Sequence, residues 1–442
     1  MAEAVAVAPP SERNERDDDE RDNDLGHPAF VWCFMAFLVT NMLAGRTDLG
    51  LPIGPDRLFF AAGAVLFLLD RRYSLRELRL GSVHLVALLV VCIAGLSALN
   101  HGILTTSYGF FALLDRLLVP YLVFAVAPVA FKREADRLLI LKTLTLVGIY
   151  LGLTAMAEIF GPHALVFPRY ILDPSVGGQF GRARGPFAES EANGLTLLAA
   201  LWCAVTLARN TVSRRWRYVA VASVALSVIG SMLTLTRSIW LGLCLGVLVV
   251  AFVDRRARRF LIPGALALVA IVGIALLSLP TLSDKANSRF NDSGSVYDRR
   301  NTAAAAVRAI EEHPLTGLGW VQFISVSGHY VRQNPDYPVT VTDIEIHNVV
   351  LSRTAELGIP GGVLWLLSVI LGPAAAALRR PLTSSARTWR FVLLGTASGW
   401  AVAVMSSPVP YPLPNTLVWL FSGLALAPAL VHHPDRESRG RV

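Results

Sequence analysis

About a dozen runs of apolar residues, each separated from the next by a short connection, leave this chain little choice of fold. A run of ~20 such residues is what a helix needs to cross the hydrocarbon layer of a membrane. Inside lipid every backbone N–H and C=O must be satisfied within the segment, and an α-helix does this. The runs fall at 28–45, 57–70, 81–99, 109–130, 137–160, 189–208, 217–235, 237–253, 260–280, 347–372, 389–407 and 412–431. The expected fold is therefore all-α: a polytopic integral membrane protein of about twelve transmembrane helices. The ladder is broken at length once, by the polar stretch 281–348.

Composition agrees. Hydrophobic residues make up 54% of the chain and charged ones 16%, whereas about a quarter of a soluble domain is charged. Residues 1–26 carry dense charge and almost no large apolar side chain, so a disordered cytoplasmic tail is expected there. A transmembrane domain over 27–431 and a second cytoplasmic tail over 432–442 complete the division. The net charge of +8 does not point to nucleic acid, because the arginines gather in short clusters between apolar runs, where membrane topology explains them. Cys33, Cys92, Cys203 and Cys244 all lie inside apolar runs and read as small hydrophobes.

The clusters also set an orientation. Alternate connections hold Arg71, Arg72, Arg76 and Arg79; Lys132, Arg133 and Arg137; Arg209, Arg214, Arg215 and Arg217; Arg255, Arg256, Arg258 and Arg259; and Arg379, Arg380, Arg387 and Arg390. The opposing connections hold none or isolated arginines. By the positive-inside rule both termini are cytoplasmic and the 281–348 loop faces outward. Within that loop Val296, Ala303, Val307 and Ile310 recur at helical spacing, which predicts an amphipathic helix; Ser295 can cap its start, and Pro314 with the glycines of Leu315-Thr316-Gly317-Leu318-Gly319 ends it.

Chemistry is expected on the outer side. The inner connections offer arginine clusters, with no glycine-rich phosphate loop and no long domain able to bind a nucleotide sugar. Three outer positions next to span ends carry arginine: Arg182 and Arg184 in a Gly/Pro turn, Arg237 between two apolar runs, and Arg299 with Arg300 at the start of the amphipathic helix. Taken singly, Arg237 also fits a topological anchor and the others a solvated loop or face. Taken together they suggest a basin for an anion such as pyrophosphate, since the guanidinium fork binds phosphate oxygens in pairs and stays charged. His347, where the loop re-enters the membrane, is a candidate general base. Glu189 and Asn348 are candidates for positioning substrate. Asp343 and Glu345 offer a weaker alternative as a metal pair. Asp115 and Arg116, adjacent within the fourth span, read as a self-neutralising pair.

These residues resemble a known family. Arg182 three residues before Gly185-Pro186-Phe187, then Leu235-Thr236-Arg237-Ser238, then Arg299 fifteen residues before Pro314, then His347-Asn348 with Glu356-Leu357-Gly358 following, are similar in order and spacing to the O-antigen ligase and polysaccharide polymerase superfamily. The resemblance covers about 180–365. It implies a glycan transferase at the outer face of the cytoplasmic membrane, moving an oligo- or polysaccharide from a polyprenyl-pyrophosphate carrier to an acceptor glycan or other hydroxyl acceptor, with inversion and with no metal or other cofactor. Arg237 and Arg299 would hold the pyrophosphate and His347 would activate the acceptor. Two positions depart from the family pattern: Ala303, where a large aromatic residue is usual, and Arg300, which leaves open which neighbour acts. A secondary transporter or lipid-linked glycan flippase would also have about twelve spans, but would place polar residues at mid-membrane in two related halves, and no such repeat is visible.

Overall fold

The structure, a computed structural model, describes residues 26–43, 53–264, 294–336, 338–339 and 342–431. The described residues are helical, with no strand beyond an isolated bridge between Leu78 and Val431. In chain order the helices used below are α1 (Ala29–Thr40), α2 (Pro55–Leu69), α3 (Ser82–Asn100), α4 (Ser107–Ala130), α5 (Glu134–Phe160), α6 (Ser190–Asn210), α7 (Arg214–Leu233), α8 (Arg237–Val253), α9 (Gly294–Glu312), α10 (Phe323–Tyr330), α11 (Val349–Leu378), α12 (Ser384–Ser406) and α13 (Pro412–Leu430).

Seven of these are long and apolar enough to cross a membrane: α3, α4, α5, α6, α7, α11 and α13. The protein is thus a multi-pass membrane protein, with fewer spans of full length and apolarity among the described residues than the twelve expected. The first and eighth expected spans are the shorter apolar helices α1 and α8. The second is the 15-residue α2, and the eleventh is α12, which carries Arg387 and Arg390 in its first two turns. Most of the ninth span, the tails 1–25 and 432–442, the start of the long loop and Ser295's capping role lie outside what is described.

Helices α6 and α13 form the centre. Nine-tenths of the spanning window of each is buried inside the protein. Small residues let their neighbours approach closely. On α5, a side chain at Gly148 would meet Ser223 and Ser227 of α7, and one at Gly152 the backbone of Leu226. Gly242 of α8 lies against Gly399 of α12, and Trp202 of α6 fills the space over Gly395. A separate small core of Ala305, Ala306, Ala309, Phe323, Tyr330, Ile346 and Ala355 joins α9 and α10 to the start of α11.

That core corrects the expected face of α9. The helix forms where the spacing predicts it, but Val307 is 44% exposed, and the face turned inward is Thr302, Ala305, Ala306 and Ala309. Alanine carries little hydrophobic signal in a sequence, yet it brings two helix backbones close, and close approach is what this contact uses.

The bundle has two chemically distinct ends. At one, the basic connections meet: Arg209 pairs with Asp254 at 2.8 Å, Lys132 donates to the Arg72 carbonyl and Arg137 to Ser385. Helix α6 runs from there to the opposite end, where the 161–189 connection, the α7–α8 turn, α9, the 342–348 segment and the α12–α13 connection converge.

Candidate functional site

The connection before α6 is built around Arg184. Its side chain is fully buried, with Nη1 donating to the carbonyl of Val176 at 2.6 Å and Nη2 to those of Ile171 at 2.7 Å and Asp173 at 2.9 Å. The Glu158 carboxylate, 3.8 Å from Arg184 Nε, accepts the backbone amides of Arg184 and Gly185. Gly185 has φ +55, and a side chain there would collide with Asn193, whose amide donates to the Ala183 carbonyl. Arg184 therefore holds the connection in shape, and its fork is already committed to carbonyls. The pyrophosphate expected at Arg184 would have to compete with those carbonyls for the same N–H groups. Arg182 is half-buried and donates to Gln179. Gln179 also accepts from Ser190, whose hydroxyl lies 2.9 Å from Thr236. That chain of contacts ends one residue before Arg237, the first residue of α8.

The α7–α8 turn is strained. Leu235 has φ +48, a conformation costing a β-carbon residue ~1–3 kcal/mol, and the turn aims the N-terminus of α8 into the convergence. Just inside lies Glu191, 6% exposed. It accepts hydrogen bonds from Ser238 at 2.8 Å, from Ser407 and from Tyr411 at 3.4 Å, and it feels the charge of Arg299. Glu189, one step outside α6, lies half-buried beside Gly178. Burial and the nearby Glu191 push its carboxyl above the usual range.

His347 and Arg299 come together across α9 and the 342–348 segment. Burial, then the positive charge of Arg299, hold the imidazole below its ordinary value, so it is neutral near neutral pH. Its Nδ1 and the Nε of Arg299 are both buried without a hydrogen-bond partner among the described residues. Arg300 is exposed, whereas Arg299 is half-buried and couples to both His347 and Glu191. Asn348 is the N-cap of α11: its Oδ1 accepts the amide of Leu351 at 3.0 Å. That oxygen is therefore spent on the helix. Asp343 is exposed and Glu345 turns to Arg116, so the two carboxylates do not face one site.

Two motifs explain each other. Helix α11 breaks at Gly358, φ +73, ahead of Pro360, which frees carbonyls in the preceding turn. The loop Gly317–Gly319 supplies what is missing: Leu318 N donates to the Ala355 carbonyl and Gly319 N to that of Glu356, each at 2.9 Å, while Ile359 N donates to Pro314 O at 2.8 Å. A side chain on Gly317 would meet the Glu356 backbone at 2.4 Å, and one on Gly358 the Leu315 carbonyl at 2.2 Å. Beneath the lock, Arg353 pairs with Glu356 at 3.0 Å and stacks 4.6 Å from the Trp320 ring. The lock ties α9, and so Arg299, to the helix that follows His347.

Asp115 and Arg116 do not neutralise each other. They lie in a π-turn at Leu114–Leu118, where consecutive side chains do not face each other, and Asp115 pairs with Arg57 at 2.6 Å and Arg116 with Glu345 at 2.9 Å. Sequence reasoning missed Glu191 as a hub and the Arg116–Glu345 bridge. In each case the partners are distant in the chain, though an ionisable residue inside an apolar run was a signal in itself.

No curated protein matches this chain. Residues 222–366, about a third of the sequence, match the family model described as O-antigen ligase. They span Leu235 to Ser238, Arg299, the 314–319 loop, His347 and Gly358, and so support the resemblance to the O-antigen ligase and polysaccharide polymerase superfamily over that part of the chain.

Proposed function

We propose that the protein is a glycan transferase at the outer face of the cytoplasmic membrane. It takes an oligo- or polysaccharide from a polyprenyl-pyrophosphate carrier and joins it to the hydroxyl of an acceptor, as a ligase or a polymerase. Both termini lie in the cytoplasm. The observation that carries this reading is the meeting of a neutral His347 with Arg299 at the mouth of a strained turn bearing Arg237. It is supported by the match over residues 222–366.

In the reaction, His347 accepts the proton of the acceptor hydroxyl as its oxygen bonds to the anomeric carbon from the face opposite the leaving group. The bond from that carbon to the phosphate oxygen breaks, and the lipid pyrophosphate departs with the electron pair toward Arg299, Arg237 and Arg182. Each well-placed donor to the leaving group contributes about 3–4 kcal/mol. Arginine supplies the charge that a metal would otherwise supply, so the reaction proceeds without one.

The test is donor binding and single-turnover rate with a polyprenyl-pyrophosphate glycan. His347→Ala should keep donor affinity and lose ~10²- to 10⁴-fold in turnover. Arg299→Ala should lose both affinity and rate. Near-normal turnover by His347→Ala would remove it as the base.

A further inference from the structure

We propose that Arg116 and Tyr108, acting through Glu345, are positioning residues for His347. The inference rests on the reading of His347 as the base.

The segment bearing His347 is irregular from 342 to 348, and irregular backbone holds a side chain in place only if its flanks are fixed. Four contacts fix it. Ser327 Oγ of α10 donates to the Thr342 carbonyl at 2.7 Å, Ile346 is buried in the small outer core, and Asn348 caps α11. The fourth ties it to a second membrane helix, α4: Glu345 Oε1 accepts from Arg116 Nη2 at 2.9 Å and from Tyr108 OH at 3.1 Å. Both donors belong to α4, more than 200 residues away in sequence. Arg116 is 8% exposed at its side chain, and a guanidinium buried at that depth is held there by a partner. Arg116 lies on the π-turn Leu114–Leu118, one residue beyond Asp115, and consecutive helical residues do not face each other, so it is turned to a different partner. Misplacing a catalytic group by ~1 Å costs ~10²-fold in rate, so a bridge from a rigid helix to a loop-borne base has a direct kinetic consequence.

Charge supplies a second signature. The groups acting on His347 are Arg299 and Asp298 of α9 and Glu345 on its own segment. Those acting on Glu345 include Arg116 and Tyr108 of α4 and Arg353 of α11, and Glu356 of α11 also acts on Arg116. Glu345 favours the protonated imidazole, so removing its charge lowers the proton affinity of His347 further.

The experiment compares Glu345→Gln, Glu345→Asp and Arg116→Ala by donor affinity, kcat and the pH profile of kcat/KM, after each is shown to insert. Glu345→Gln keeps an acceptor for Arg116 without the charge, and its acid limb should move to lower pH. Glu345→Asp keeps the charge with a shorter reach, so its limb should stay in place while kcat falls ~10-fold or more. Arg116→Ala should lower kcat by a similar factor with donor affinity within about twofold. If Glu345→Gln and Glu345→Asp both keep the parent's kcat and limb while His347→Ala is inactive, the positioning role is wrong and the base assignment stands. If His347→Ala is active, it is the parent reading that fails. Should Arg116→Ala not insert, the Gln and Asp pair still decides.

Discussion

Both ends of the helix bundle are rich in arginine, but the side chains are used differently. At the basic end they answer helix C-termini and loops: Arg137 donates to Phe131 O, Arg258 to Ala251 O and Arg390 to Ala377 O. There the cation meets the negative end of a helix dipole close to solvent. At the opposite end four arginines meet carboxylates at little exposure: Arg57 with Asp115, Arg116 with Glu345, Arg184 with Glu158 and Arg353 with Glu356. All five non-glycine residues of positive φ among the described residues, Gln179, Ala188, Leu235, Val321 and Val409, also lie in connections at that end. Net charge does not separate the ends, and ion pairs occur at both, Arg209 with Asp254 and Arg133 with Asp136 at the basic one; backbone strain does. Strain costs stability, and a fold that concentrates it at one end is using that end for something.

Several measurements break or sharpen this contrast. The largest effect is all-or-none. If the proposed orientation is right, Gly328→Cys, an exposed position with open space around its β-carbon, reacts with a membrane-impermeant maleimide in intact cells, and Val212→Cys, 98% exposed at the basic end, does not. Reversed labelling overturns the outward placement of the site.

Next comes the difference between a structural and a chemical arginine at the same end. Arg184→Ala leaves the carbonyls of Ile171, Asp173 and Val176 unpaired and Glu158 without its cation, which costs about 3–5 kcal/mol and shows as a lower melting temperature in detergent. Arg299→Ala should leave melting within ~1 kcal/mol and lower turnover instead; a large melting shift there would make Arg299 another clamp. At the basic end, Arg258→Ala and Arg390→Ala should each cost about 1 kcal/mol or less with turnover unchanged.

The pH profile is a finer probe. His347 lies below the ordinary histidine value because of burial first and Arg299 second. A group with a lowered pKa stays neutral as pH falls, so the acid limb of kcat/KM lies below about 6.5. Arg299→Ala removes the second cause and should move the limb upward. The smallest expected effect is none at all: turnover in excess EDTA should equal that in its absence, and loss restored by magnesium would reopen Asp343 and Glu345 as ligands.

The sequence was most legible where a physical rule acts along the chain. Apolar runs become helices, arginine clusters share one end, and Pro314 and the glycines end α9, because each depends on neighbours a few residues away. His347 and Arg299 were each legible as candidates, and the structure brings them close enough for the charge of Arg299 to act on His347. What was hidden is set by direction and distance. A turn motif does not say that Arg184 points inward to carbonyls while Arg182 turns to Gln179. Glu191 gathers hydroxyls from residues 47 to 220 positions away, and no local pattern records that.

The lock between Gly317 and Gly358 has a consequence for how such a protein can diversify. Because the 314–319 loop is fastened to α11 through backbone groups, the chain between residues 320 and 342 leaves and returns at fixed points. Within it Phe323 and Tyr330 belong to the small core and Ser327 holds Thr342, so changes that spare these three leave the separation of Arg299 and His347 intact. A residue inserted between Pro314 and Gly319 has no such freedom, since it withdraws the amides that complete the broken helix. That segment can therefore change in one part while the geometry around His347 is held by the other.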